Sequence, residues 1–364
     1  MDMLFTGDYR CRLRVLIFFS LMLILTCSSI IQKFVSDHLK GSSNVEKFGG
    51  PTGYDDLLQC KDIDAIYVPL PTVLKKEWAI KVLQAGKHCM IEKPVAMTAD
   101  DYQQVLDAAY KAKKFILDGT MYPHHARTQQ ILDTVANGSI MGDVNRIETG
   151  FNFMTDAAFQ ETNIRARKDG DPHGAIGDLG WYCIRFAQLV FGALGSKAVT
   201  AQVMDYELTK DEVPLDCTAV VQFENGKSLW LHCGFKNHFR QHFEVCGTSK
   251  SILIDDLVLP TRAPNHFVLT SSGLTDFAVL TFHDRQVVEA ESAPAHEVLL
   301  WQKFSILTRA IDETTSIESN GCGWSGDSAE ILEANKFAVT TLENQKIVDA
   351  LMRSIAEGKS VVSI

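Results

Sequence analysis

The sequence has no excess of positive charge. Its 364 residues carry 35 Lys and Arg against 45 Asp and Glu, which gives a formal net charge of -10. Nucleic acid as the main partner is thereby excluded, because phosphate backbones are bound by basic surfaces. A phosphate-bearing cofactor is still allowed, since it needs only a local positive pocket.

The sequence also lacks closely paired cysteines. Nine cysteines are spread from Cys11 to Cys322, their number is odd, and no C-x-x-C pair occurs. This pattern excludes a disulfide framework or a zinc ribbon, and no metal site is predicted. The chain is expected to work in a reducing compartment, which favours the cytoplasm.

The first 31 residues differ from the rest of the chain. Val15–Cys27 is an apolar run that follows Arg10, Arg12 and Arg14, and it can be extended to Ile31. One interpretation is a signal peptide or signal anchor, which would direct the protein to a membrane or the secretory pathway. The second is a buried strand. The third is that residues 1–31 come from a misassembled gene.

Strands and helices alternate after residue 32. Ala65–Val68 and His88–Ile91 are short apolar runs, and the helical patterns Lys76–Ala85 and Thr98–Lys111 follow them. This alternation predicts βαβ units and a parallel sheet, which binds ligands beyond the carboxyl ends of its strands. The segments expected at those ends are Pro69–Thr72, Glu92–Pro94 and Asp118–Met121.

The pattern changes after about Gly142. Thr218–Phe223 alternates between apolar and polar residues, Asn225-Gly226 predicts a hairpin turn, and Ser228–Phe235 continues as a strand. Strands joined by short turns predict an antiparallel sheet, and two later helical stretches make this part α+β. A large sheet face with apolar residues is a common dimer surface, so a homodimer is expected.

Five short segments carry a family resemblance. They are YVPLPT at Tyr67–Thr72, EKPVAM at Glu92–Met97, DGTMYPHHART at Asp118–Thr128, NIR at Asn163–Arg165 and GDLGWYCIR at Gly177–Arg185. With these segments in this order, the chain from about Gln32 onward resembles the Gfo/Idh/MocA oxidoreductases. Within them it is most similar to the branch of dimeric dihydrodiol dehydrogenases and NADP-dependent D-xylose dehydrogenases.

The resemblance implies an α/β fold with two domains. Residues 32–125 are expected to form a partial, Rossmann-like dinucleotide-binding domain, after an atypical hydrophobic segment at 1–31. Residues 126–364 are expected to form an α+β substrate and dimerisation domain with a large open, mostly antiparallel sheet. The resemblance also implies NADP as the cofactor, with NAD as the alternative. The substrate would be an aldose such as D-xylose or a trans-dihydrodiol.

Hydride transfer between a carbinol carbon and nicotinamide needs a group that takes the hydroxyl proton. The resemblance assigns this acid/base role to Tyr182 and places Lys93 at the nicotinamide ribose. The Lys93 ammonium would favour the phenolate form of Tyr182. Asp178 lies four residues before Tyr182, and on a helix the two would share a face, so Asp178 can orient the substrate or Lys93.

Further residues are expected around these three. Residue 75 is Lys where the family pattern has His, and its ammonium could meet a phosphate or a ribose. The residues expected at the cofactor are Pro69, Pro71, Thr72, Lys75, Glu92, Lys93 and Pro94. The residues that could face the substrate are His124, His125, Arg127, Asn163 and Arg165.

The glycine-rich fingerprint of a Rossmann domain is lacking at its expected place. No glycine occurs between Gly7 and Gly41, so the first βαβ unit is expected to be absent or replaced. A literal G-x-G-x-x-G at Gly321, Gly323 and Gly326 follows a polar stretch and predicts only a surface loop. The alternative function is therefore a cofactor-deficient, non-catalytic dimerising member of the same fold.

Overall fold

The chain builds two sheets that share one core. A computed structural model describes residues 15–17, 48, 51–260, 265–275, 279–291, 293–314 and 323–364. Within these residues a four-stranded sheet precedes a nine-stranded sheet along the chain. The arrangement confirms the predicted Rossmann-like domain followed by an α+β domain.

The first sheet is entirely parallel. Its strands have the spatial order β1-β2-β3-β4, and β2 and β3 are apolar runs that are largely buried. The strands are β1 Val15–Ile17, β2 Ala65–Val68, β3 His88–Ile91 and β4 Ile116–Asp118. The helices of this part are α1 Gly53–Gln59, α2 Thr72–Gln84 and α3 Ala99–Ala112.

The N-terminal apolar run contributes a strand. Val15–Ile17 pairs in parallel with Ala65–Tyr67, as the strand interpretation of this segment requires. Residues 18–47 lie outside the described residues. They include residues 18–31, the remainder of the proposed signal or anchor. Among the described residues, no helix has the length and apolar character needed to cross a membrane.

The second sheet is mixed and mostly antiparallel, as predicted. Its order is β12-β11-β10-β9-β5-β8-β7-β6-β13, and only β5 and β8 pair in parallel within the described sheet. The first strands are β5 Val144–Asn152, β6 Ala198–Leu208, β7 Pro214–Phe223, β8 Ser228–Gly234 and β9 Arg240–Gly247. The others are β10 Ser251–Ile254, β11 His266–Thr275, β12 Val279–Glu289 and β13 Val362–Ser363.

The helices of the second part connect both sheets. The last helix contacts β6 of the large sheet and α3 of the first part. The helices are α4 Ala126–Ala136, α5 Gly138–Met141, α6 Ala157–Thr162, α7 Trp181–Ala193, α8 His296–Glu313 and α9 Ala329–Ala356. Gly323 and Gly326 lie in the loop before α9, which agrees with the loop interpretation, while Gly321 lies outside the described residues.

A buried ion pair ties the two parts together. Arg185 on α7 donates to the Asp118 carboxylate at the end of β4 over 3.0 Å, and both side chains are at most 3% exposed. Thr341 on α9 and Thr120 also donate to this carboxylate. One buried charge pair with additional donors thus holds β4, α7 and α9 at a fixed separation.

Candidate active site

The candidate site lies where β3 ends and α7 begins. A π-helical turn, Ile176–Gly180, runs directly into α7, and all five of its residues are buried. A Cβ on Gly177 would lie 3.1 Å from Cγ of Pro94 and 2.6 Å from Cβ of His173. Only glycine therefore allows this turn to approach the segment that follows β3.

Lys93 and Asp178 form a close ion pair at this junction. The Lys93 ammonium donates to the Asp178 carboxylate and, over 3.0 Å, to the Asp178 carbonyl oxygen. Each side chain is 11% exposed. Burial tends to lower the pKa of Lys93, but the Asp178 carboxylate outweighs it and raises the pKa above its usual value. The ammonium is therefore permanently charged at neutral pH.

The same charges act on Asp178. Burial would raise its pKa, but Lys93 and Arg165 outweigh burial and hold the pKa below its usual value. Arg165 Nε lies 3.1 Å from the second carboxylate oxygen, and its side chain is 40% exposed. Asn163 Oδ1 accepts from the Arg165 backbone N–H over 3.0 Å and so fixes the short turn that carries it. Asn163 thus acts through Arg165 in this geometry.

Tyr182 lies beside the ion pair. The Lys93 Nζ is 5.0 Å from the centroid of the Tyr182 ring, and the residue is 7% exposed. Burial raises the pKa of Tyr182 to about 12, although the Lys93 charge acts in the opposite direction. The expectation that Lys93 would favour phenolate is correct for the sign of its own effect, but burial dominates. Tyr182 is a neutral phenol at physiological pH.

The Tyr182 hydroxyl is available for a ligand. The backbone carbonyl of Tyr182 accepts from the Tyr122 hydroxyl over 2.9 Å. The side-chain hydroxyl of Tyr182 makes no hydrogen bond to the described residues. Lys93 uses two of its three N–H donors on Asp178, and the described residues give the third no partner. The site therefore presents one phenol and one ammonium donor.

Glu92 supports the Lys93 backbone. Its carboxylate accepts from the Tyr67 hydroxyl and, over 3.2 Å, from the Lys93 N–H. A Cβ on Gly119 would lie 2.8 Å from Glu92 Oε1, so glycine is needed there. Glu92 therefore joins the tips of β2 and β3 below the candidate cofactor face.

Thr72 has a different environment from the one expected. It is fully buried, and its hydroxyl and its backbone N–H both donate to Asp171, the N–H over 2.7 Å. Asp171 comes from the loop before the π-helical turn and caps the N-terminus of α2. The Thr72 hydroxyl is thus already used inside the protein, which argues against the expected cofactor contact through it.

Lys75 also points into the protein. Its side chain is 2% exposed and donates to the carbonyl oxygens of Lys93 and Pro94 over 3.2 and 2.7 Å, and to Thr72 Oγ1 over 3.3 Å. Burial lowers the pKa of Lys75 to about 8, against the opposing carboxylates of Asp171 and Glu92. All three donors have protein partners, so the expected contact with a phosphate or ribose is not supported.

The prolines of the predicted cofactor face differ in exposure. Pro69 and Pro71 are half-buried at the tip of β2, where they can contact a ligand. Pro94 is buried against the π-helical turn. The open surface at the strand ends is therefore formed by Pro69 and Pro71, which follow β2. Lys93 follows the neighbouring strand β3.

Two of the residues expected at the substrate, Arg127 and His125, are structural, and His124 has a different environment. Arg127 is 2% exposed and donates to the Asp256 carboxylate over 2.6 Å. His125 Nδ1 caps α4 by accepting from the Arg127 N–H, and its Nε2 lies 2.9 Å from Asn265. His124 packs against Phe337, and burial lowers its pKa to about 4. The side chains of Arg127 and His125 bond to Asp256, to the start of α4 and to Asn265, so the substrate expectation is corrected for these two residues. His124 is half-buried and its Nδ1 has no hydrogen-bond partner among the described residues, so its expected substrate contact stays a prediction.

Sequence reasoning missed Asp171 and Tyr67. Asp171 lies 99 residues from Thr72, and Tyr67 lies 25 residues from Glu92. No local spacing connects either pair, so only the three-dimensional arrangement identifies them. A Gly- and Asp-rich segment before the GDLGWY segment was the one available signal for Asp171, and such segments are common in loops.

Comparisons with known proteins agree with this arrangement. Residues 28–119 match the oxidoreductase family described as GFO/IDH/MocA with an NAD-binding Rossmann fold. Residues 128–253 match the GFO/IDH/MocA C-terminal domain. The two matches follow one another along the chain, as do the two sheets.

Characterised relatives reduce or oxidise sugars and diols. A dTDP-3,4-didehydro-2,6-dideoxy-alpha-D-glucose 3-reductase of Streptomyces violaceoruber is 31% identical over 71% of this chain and 74% of its own. D-xylose 1-dehydrogenase (NADP(+)) 2 of Haloferax volcanii is 27% identical over 57% and 62%. Trans-1,2-dihydrobenzene-1,2-diol dehydrogenase of Xenopus tropicalis is 27% identical over 60% and 63%. The keto-sugar reductase thus shares more identity than either enzyme of the expected branch.

A solved structure shares the fold. KijD10, a 3-ketoreductase from Actinomadura kijaniata in complex with NADP and TDP-benzene, superposes with a TM-score of 0.67 at 22% identity. The match covers 88% of this chain and 85% of that protein. At this identity the likeness concerns the architecture of both domains.

Proposed function

The chain belongs to the Gfo/Idh/MocA oxidoreductase family, and on this premise we propose that it is an NADP-dependent oxidoreductase. The reaction moves a hydride between nicotinamide and a CH–OH or C=O carbon of a sugar or related diol. One observation carries the proposal. The Lys93–Asp178 ion pair lies against the ring of Tyr182, whose hydroxyl has no partner among the described residues.

Tyr182 is the proposed proton carrier. In the direction of carbonyl reduction, its phenol donates a proton to the oxygen that becomes a hydroxyl. In the direction of alcohol oxidation, its phenolate accepts the hydroxyl proton. The proton therefore remains on Tyr182 until the carbonyl is reduced, since burial raises the pKa of the phenol to about 12.

Lys93 and Asp178 have complementary roles in this proposal. Asp178 holds the ammonium of Lys93 beside Tyr182, where the positive charge stabilises any phenolate that forms. The remaining Lys93 donor can hold a hydroxyl of the substrate or of the cofactor's ribose. Arg165, which is partly exposed and paired with Asp178, lies at the rim and can contact the substrate.

The described residues fit the nicotinamide half of NADP. Pro69 and Pro71 give a half-buried surface at the tip of β2, and Lys93 supplies a free donor at the end of β3. When bound, the nicotinamide would supply or accept the hydride. The usual glycine-rich pyrophosphate turn has no counterpart between Gly7 and Gly41, which is the feature that favours the cofactor-deficient alternative.

A homodimer through the large sheet is part of the proposal. Trp230 on β8 and Met204 on β6 are 47% and 46% exposed on the outer face of this sheet. Large apolar side chains on an open sheet face are favourable to bury against a second copy. We also propose a cytoplasmic protein, because the nine cysteines are odd in number and include no C-x-x-C pair, as is usual in a reducing compartment.

The test is turnover by the full chain. NADPH consumption is measured with a dTDP-3-keto sugar, and NADP⁺ reduction with D-xylose and with trans-1,2-dihydrobenzene-1,2-diol. The proposal predicts turnover of at least one of these substrates that depends on enzyme and substrate together. The absence of both NADP binding and turnover would instead support the cofactor-deficient alternative.

A further inference from the structure

A buried ammonium lies directly beneath the candidate site. Lys75 is on the first turn of α2, its side chain is 2% exposed, and no carboxylate of the described residues lies within ion-pair distance of its Nζ. Taking an ammonium out of water is costly unless hydrogen bonds replace the lost solvation. Lys75 meets this requirement with three oxygen acceptors for its three N–H donors.

Two of these acceptors belong to the site itself. They are the backbone carbonyl oxygens of Lys93 and Pro94, at 3.2 and 2.7 Å. Lys93 is the residue whose side chain pairs with Asp178 and lies against Tyr182. The position of the Lys93 backbone determines where its ammonium can reach. Lys75 therefore affects the site through its hydrogen bonds to this backbone.

The third acceptor connects Lys75 to the second domain. It is the hydroxyl of Thr72, which in turn donates to Asp171 in the loop before the π-helical turn. A continuous set of hydrogen bonds therefore runs from Asp171 through Thr72 and Lys75 to the Lys93–Pro94 segment. Glu92 fixes the same segment from the other side by accepting from the Lys93 N–H.

We propose that Lys75 is a positioning residue, which holds the Lys93–Pro94 backbone so that the Lys93 ammonium stays between Asp178 and Tyr182. This inference rests on the proposed function for its effect on turnover. Its effect on Lys93 does not depend on which substrate is used. The role replaces the direct cofactor contact that the sequence pattern had indicated for residue 75.

The decisive variant is Lys75→Met, which keeps the length of the side chain and removes all three donors. The matched control is Lys76→Met, since Lys76 is the next residue on α2, is partly exposed and pairs with Asp101. The first readout is the rate at which an amine-acylating reagent modifies Lys93, followed by mass spectrometry. The second is kcat with the substrate that the wild-type chain turns over.

The proposal predicts faster modification of Lys93 in Lys75→Met and a fall in kcat of about 10- to 100-fold, as for a displaced catalytic group. Lys76→Met should match the wild type in both. Lys75→Gln keeps amide donors and serves if Lys75→Met fails to fold. It should give intermediate values for both readouts.

The two readouts separate this inference from the proposed function. If no substrate is turned over but Lys93 becomes more reactive in Lys75→Met, the positioning role stands and the proposed function fails. If a folded Lys75→Met or Lys75→Gln protein shows wild-type Lys93 reactivity and wild-type kcat, the positioning role is overturned. A lower melting temperature with unchanged Lys93 reactivity also overturns the positioning role, because Lys75 would then be only structural.

Discussion

At Tyr182, burial and a neighbouring charge act on the phenol in opposite directions. Burial raises its pKa, and the Lys93 ammonium lowers it, with a net value of about 12. The phenol is therefore in its protonated, proton-donating form at physiological pH and becomes a base only at high pH. The two directions of the proposed reaction should depend on pH in different ways.

We expect the rate of carbonyl reduction to be insensitive to Tyr182 ionisation between about pH 6 and 10, because the phenol keeps its proton there. Alcohol oxidation should accelerate as pH rises toward 12, because only the phenolate accepts a proton. Lys93→Met removes the charge that lowers the pKa of Tyr182. It should therefore displace the rise in oxidation rate to higher pH.

The measurement is kcat against pH in both directions, at saturating cofactor, for the wild type and Lys93→Met. Saturation separates the pH effect from any loss of cofactor affinity. A displacement of the oxidation profile to lower pH in Lys93→Met would show that Lys93 does not stabilise the phenolate.

Among the secondary-structure elements, helix α2 shows what a local sequence pattern can predict and what it cannot. The sequence predicts this helix from Lys76 to Ala85, whereas it runs from Thr72 to Gln84. The early start depends on Asp171, which lies 99 residues away and caps the first turn. No local signal reports such a cap, so the prediction began one turn too late.

Other elements were predictable because their signals are local. The β7–β8 hairpin has Asn225 and Gly226 with φ of 60° and 72°, as a tight turn with this dipeptide requires. The helical pattern Thr98–Lys111 corresponds to α3, and Thr98 caps this helix by accepting from the Asp101 N–H over 3.1 Å. The parallel pairing of β5 with β8 was not predictable, since side-chain alternation does not encode which strands become neighbours.

The candidate site divides in the same way. Lys93, Asp178 and Tyr182 were found because their motifs are contiguous, and the structure brings all three together. His125 and Arg127 are also in a motif, but both are buried and their side chains are hydrogen-bonded within the protein. Motif membership alone cannot separate a residue that serves catalysis from one that serves packing.

We expect Asp171→Ala to lower the free energy of unfolding by about 1–3 kcal/mol. The substitution removes a helix cap and leaves the buried Thr72 N–H without an acceptor. The control is Asp169→Ala on the same loop, where an exposed carboxylate pairs with Arg167. Urea denaturation of both variants measures the difference. Equal stability of the two would show that the α2 cap does not depend on Asp171.

At the scale of the whole molecule, the large sheet gives the chain two different faces. One face packs against helices, whereas Trp230 and Met204 are exposed on the other. We expect sedimentation of the wild-type chain to give a molar mass of twice 40.5 kDa, as for a dimer. Trp230→Glu should shift this mass toward that of the monomer, because a buried unpaired charge opposes association.

The matched control for this substitution is Leu332→Glu, an exposed apolar position on α9 rather than on the sheet. It should leave the dimer intact. Sedimentation of Trp230→Glu as a stable dimer would place any interface elsewhere on the protein.

In the proposed reaction Tyr182 carries the proton, and the kcat of Tyr182→Phe is the decisive measurement of this role. The substitution removes the hydroxyl but keeps the ring beside Lys93, so the melting temperature should change little. We predict that kcat falls by about 10²- to 10⁴-fold, the usual contribution of general acid–base catalysis. A well-folded Tyr182→Phe enzyme with near-normal kcat would contradict the claim.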